Sequence, residues 1–200
     1  MARLLILIAM ILLPHIALGL EELEPVENLS PLPGPDPRRI GWEWHYVDIK
    51  GKPGFMRKVA GDDAIESYER SDGCSWTRTS RGFAPATVWS NCPSSGKSTV
   101  TVTSDSLWPL DIGNKITYQM KGNSSLIARA WSSKRSCEVV GAVKVKIVSG
   151  TYDTFKVFCK ERWGTRTWWL SPEVGTAVAY EQKTRRNGLI RQEMTKIVKP

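Results

Sequence analysis

His45, set between Trp44 and Tyr46, is the residue through which any Ser-His-Asp or Cys-His mechanism in this chain would run. Imidazole is the side chain that exchanges a proton near neutral pH. Glu43 shares its face if the segment is a strand, and a glutamate there could form half of a carboxylate pair for glycoside hydrolysis. Nothing in the sequence selects the second acid. Ser95-Gly96-Lys97-Ser98 ends like a phosphate-binding loop. Yet the first glycine of that pattern falls at Asn91, and Val and Thr alternate afterwards where a helix is needed. It reads as a surface turn. No residue is therefore assigned a catalytic role, and no cofactor is expected.

The four cysteines admit either metal or disulfide chemistry. There is no C-x-x-C pair and almost no histidine to complete a metal site, so none is expected. The N-terminus decides for disulfides. Arg3 precedes an apolar run over residues 4–13, and Ala17 and Gly19 stand as small residues before Glu21 and Glu22. This is the pattern of a cleavable export signal over residues 1–19, too short to span a bilayer as a helix. No cysteine follows the run as a lipid attachment point. An exported chain meets an oxidising compartment, periplasmic or extracellular, where cysteines pair. Cys74 with Cys92 and Cys137 with Cys159 is the favoured pairing. Each pair brackets a strand-turn-strand pattern, and counting by twos sets Cys137 with Val143 and Ile147, and Cys159 with Phe155 and Val157.

These side chains must be positioned by strands, because the apolar period is two almost everywhere. Trp42, Trp44 and Tyr46 alternate with Glu43 and His45, and Val100 and Val102 with threonines. Ile116 and Tyr118 repeat the pattern, as do residues 139–147, 155–157 and 176–181. Turns are expected at Lys52-Pro53-Gly54, Gly61-Asp62-Asp63, Gly122-Asn123, Ser149-Gly150, Ser171-Pro172 and Asn187-Gly188. A helix is expected only near residues 64–70. The fold class is all-β, an antiparallel, strongly curved sheet or partly open barrel stapled by two disulfides. It occupies residues 38–200 as a single domain. Residues 20–37 carry five acids, no bases before Arg38 and several prolines, which describes a disordered or loosely draped leader.

Two segments resemble the TapB-like bacterial envelope proteins, a group largely of unknown function. One is residues 141–159, with Gly150-Thr151-Tyr152 followed by Phe155-Lys156-Val157. The other is Trp168-Trp169-Leu170-Ser171-Pro172-Glu173-Val174-Gly175 with Val178. The resemblance covers roughly the second half of the chain. It implies a curved antiparallel sheet in the bacterial periplasm and brings no catalytic residues with it.

From residue 38 onward 27 basic residues face 15 acidic ones, so the body carries about +12. Lys183, Arg185, Arg186, Arg191, Lys196 and Lys199 stand against only Glu181 and Glu193, a basic projection near the C-terminus. Export makes nucleic acid a poor partner, and no body segment is apolar enough to span a membrane, so membrane association is peripheral at most. The expectation is a non-enzymatic envelope protein that binds an anionic or amphipathic partner: anionic lipid, lipopolysaccharide, glycan or another envelope protein. Trp42, Trp44, Trp168, Trp169, Arg185 and Arg186 are the candidate contacts. The alternative is a carboxylate-dependent hydrolase acting on cell-wall or glycan substrates.

Overall fold

The computed structural model describes residues 19–34, 39–62, 64–79, 83–104, 106–185 and 188–200. The segment expected to be an export signal, residues 1–19, lies outside them apart from Gly19, as do Arg186 and Asn187.

All regular structure among the described residues is antiparallel strand. β1 (Glu21–Pro25) is followed by β2 (Glu43–Asp48), β3 (Pro53–Gly61), β4 (Ile65–Arg70), β5 (Ser75–Thr79) and β6 (Ala86–Ser90). Then come β7 (Gly96–Ser104), β8 (Lys115–Ser124), β9 (Ile127–Ile147) and β10 (Gly150–Glu161). β11 (Gly164–Ser171), β12 (Thr176–Thr184) and β13 (Gly188–Val198) complete the chain. β2 to β8 form a meander, as do β9 to β13. β13 pairs with β2, and β8 pairs with β9, closing a barrel of twelve strands that leaves no free edge in its wall.

The 21 residues of β9 make this closure possible. Its first half takes β8 on one edge, its second half takes β1, and β10 pairs along the other edge from Arg135 to Ile147. A bulge at Val140 separates the two halves, since Val139 and Gly141 face the adjacent residues Val157 and Lys156. The extra residue reverses the faces. Cys137, Val139 and Ala142 join the main core with Phe155, Val157 and Leu170, while Val145 and Ile147 join a second cluster with Trp169, Val178 and Met194. The two disulfides form as expected, but Cys137 does not share a face with Val143 and Ile147. Uninterrupted counting by twos misses the bulge. Cys137 and Cys159 are direct register partners, and Cys74 reaches Cys92 with Cα atoms 4.3 Å apart.

Three other expectations are corrected. Residues 65–70 are a strand, because Glu66 and Tyr68 are buried at period two and Glu66 is neutralised by Lys58. Strand β8 runs through Gly122-Asn123 and turns at residues 125–126. Gly122 is needed for close approach, since a Cβ there would strike the Lys97 carbonyl oxygen. The acidic leader is not disordered over its described part: Glu22 binds Lys156 at 2.8 Å, Glu24 binds Lys144 at 2.5 Å, and Leu32 is buried in the main core with a bridge to Leu110. Glu22 and Glu24 thus pair with lysines of the β9–β10 hairpin.

Candidate binding site

Alternation assigns the interior of the barrel. On β2 Trp44 and Tyr46 point inward, on β5 Trp76 and Arg78, on β11 Arg166 and Trp168, and on β12 Tyr180 and Gln182. These walls line a partly open cavity of about 550 Å³. Its polar lining includes four arginines, Arg70, Arg78, Arg135 and Arg166. Its apolar lining includes Trp44, Trp76, Trp89, Phe83, Trp168 and Tyr180. No aspartate or glutamate among the described residues lines it. A smaller cavity of about 130 Å³ shares Trp44, Met56, Arg78, Phe83 and Trp168 with it and ends against Leu32 and Pro33. The leader thus stops one end of the interior.

Two buried charge clusters hold three of these arginines in place. Glu161 accepts from Arg135 Nη2 at 2.8 Å and from Arg166 Nε at 3.0 Å, and Arg135 Nη1 also donates to the Phe83 carbonyl. Burial raises the Glu161 carboxyl, but the charges of Arg135 and Arg166 and their hydrogen bonds outweigh it and hold the group below the usual carboxylate range. Burial and the charge of Arg166 lower Arg135. The pair shares one carboxylate, which leaves a net positive charge beside the cavity. Arg166 Nη1 then donates to the Tyr180 hydroxyl at 3.1 Å, which donates onward to Gln182 at 2.7 Å. In the second cluster Glu66 accepts from Lys58 at 2.9 Å and from Arg78 at 3.2 Å, with Lys58 and Glu66 each 1% exposed. Arg78 also lies 4.7 Å above the Tyr68 ring, and Tyr68 stacks on Trp76. The cavity wall therefore alternates fixed cations with flat aromatic faces.

Among the described residues, one polar atom in this wall lacks a partner. Trp44 Nε1 is buried without an acceptor, which costs free energy unless something in the cavity accepts from it.

Of the six residues singled out in the sequence, Trp44 and Trp168 meet in this cavity. Trp42 lies outside, flanked by the cations of Arg39 and Lys199. Trp169 points to the opposite face from Trp168 and donates to Glu22. Arg185 is exposed in the turn before β13. The basic projection is also partly neutralised, since Arg191 binds Glu181 at 2.9 Å. The four cavity arginines went unseen because a charged residue in an alternating strand reads as solvent-facing. The available signal was position: Arg78 and Arg166 each stand two residues from an inward tryptophan.

His45 and Glu43 do share a face, with His45 Nε2 2.8 Å from Glu43 Oε2, and Arg57 binds the same carboxylate. Hydrogen bonds from Arg57, then His45, hold Glu43 below the usual range. The shifted carboxylates Glu24, Glu43, Asp62, Asp72 and Glu161 all move downward, the opposite of what a general acid for glycoside hydrolysis requires.

No family model matches the chain, and no curated protein matches it. Among solved structures the chain is similar to the hypothetical lipoprotein YmcC from Escherichia coli (K12), at 11% sequence identity and a TM-score of 0.48, over 82% of this chain and 89% of that one.

Proposed function

We propose that this chain is an exported binding protein of the bacterial envelope whose barrel interior holds a small amphipathic molecule bearing an anionic group. The observation that carries the reading is the cavity of about 550 Å³ lined by Arg70, Arg78, Arg135 and Arg166 and by no described acid. Its volume lies within the usual range for small-molecule sites. Guanidinium groups donate in pairs to phosphate or carboxylate, the buried Trp44 indole offers a further donor, and Trp76 and Trp168 supply flat surface for an acyl chain or a sugar ring. The two disulfides suit an oxidising compartment, in keeping with the signal-like segment at residues 1–19.

Tryptophan fluorescence titration tests the reading with four probes below their micellar concentrations: dodecyl phosphate, dodecylphosphocholine, dodecyl maltoside and an acidic oligosaccharide such as trigalacturonate. Saturable binding of dodecyl phosphate, tightest among the alkyl probes, assigns the anion to a lipid-like ligand; tight binding of trigalacturonate assigns it to a glycan. Equal affinity for dodecyl phosphate and dodecyl maltoside, with none for trigalacturonate, would contradict the role of the arginines.

A further inference from the structure

A third buried acid, Glu193, lies outside the barrel cavity and has no cation among the described residues. Glu193 on β13 is 4% exposed. Its register partners on either side are Ala179 and Val47, and it sits beside the second cluster of Val145, Ile147, Trp169 and Val178. Among the described residues its hydrogen-bond partners are two backbone amides: Leu20 N at 2.7 Å from Oε1 and Val148 N at 3.1 Å from Oε2. Buried carboxylates are ordinarily paired with a cation, because two amide dipoles replace only part of the lost hydration. The nitrogen touching Oε1 belongs to the residue that directly follows Gly19.

We propose that Glu193 is the seat for the α-ammonium group of Leu20, created when the Gly19–Leu20 peptide bond is hydrolysed. The inference rests on reading residues 1–19 as a cleavable export signal. A signal-removing peptidase and one water suffice: the hydroxyl passes to the Gly19 carbonyl carbon, giving a carboxylate, and the hydrogen passes to the Leu20 nitrogen. The new amine, with an ordinary pKa of about 7.7–8.0, takes up a proton at neutral pH. The small residues Ala17 and Gly19 occupy the positions such a peptidase requires. The amide N–H that meets Glu193 in the full-length chain then becomes a cation at the same place. Leu20 packs on the second cluster, and β1 holds the chain immediately after it through Glu21, paired with Lys146, and Glu22, bound to Lys156. Processing thereby supplies the charge that the fold lacks, and the mature N-terminus becomes a structural ion pair.

The test begins with the full chain exported from a bacterial host and weighed intact. The expected first residue is Leu20. Retention of residues 1–19 would contradict the export reading itself, whereas a different first residue in a processed chain would overturn the Glu193 assignment alone. Next, Gly-Ser is inserted between Gly19 and Leu20 so that processing leaves an amide at Leu20. The melting temperature should fall by about 6 °C or more, and the same insertion should have no effect in a Glu193→Gln background. An equal fall in both backgrounds, or none in either, overturns the proposal. If Glu193→Gln does not fold, the acylation rate of the α-amine decides: at least about tenfold slower in the native protein than in urea supports the ion pair, and equal rates overturn it.

Discussion

Glu161 shows what a single residue does in this barrel. Two guanidinium groups converge on it from β9 and β11, and its removal would leave Arg135 and Arg166 facing each other without a counter-charge. Glu161→Gln should therefore destabilise the protein by about 3–5 kcal/mol in urea unfolding. Its pKa is lower in the folded chain than in the unfolded one, so the stability it gives is present above the unfolded value of about 4.3 and is lost as pH falls through the folded value. The acid unfolding midpoint of Glu161→Gln should accordingly be less steep in pH than that of the unaltered protein. Arg70 behaves differently. It lines the cavity, but its partner Asp72 is more than half exposed, so Arg70→Gln should cost under about 1 kcal/mol of stability. The same change should weaken dodecyl phosphate binding by about tenfold, the loss of one charge-assisted contact. Comparing the two readouts separates a binding arginine from a structural one. At this scale the sequence revealed Trp44 and Trp168 through their aromatic alternation. It concealed Arg135, whose burial depends on Glu161, a residue 26 positions away.

The strands themselves were legible wherever apolar residues alternate without interruption, as in β2, β7 and β12. Bulges and close approaches were not, because neither leaves a mark in the period. Val140 reverses the faces of β9, and Gly122 serves strand proximity where its type suggests a turn. The cysteine pairing survived the first error because Cys137 and Cys159 lie together on one side of the bulge. Their environments predict unequal costs. Replacing both Cys137 and Cys159 by Ser should lower stability by more than the chain-entropy value of about 3 kcal/mol, since both positions are buried in the apolar core. Replacing Cys74 and Cys92 should cost about that value or less, because Cys92 lies at a more open turn. Urea midpoints of the two double variants check the ranking. The leader is an element of the same kind. Leu32→Ala should cost about 2–4 kcal/mol, whereas a disordered leader would make the substitution neutral.

For the whole molecule, closure of the barrel turns an alternating sequence into an inside and an outside. The inside is unusual because it is both aromatic and cationic. The apolar core and Leu32 fill one end, and the cavity occupies the space between the Glu66 and Glu161 clusters. The net charge of the body raised the expectation of an acidic partner, but composition cannot distinguish an arginine on the surface from one in the lumen. The most direct test of the account is a crystal structure of the protein with dodecyl phosphate. The phosphate should lie within hydrogen-bonding distance of at least two of Arg70, Arg78, Arg135 and Arg166, with the chain against Trp76 or Trp168. A phosphate bound on the outer surface near Arg185, with the cavity left empty, would contradict it.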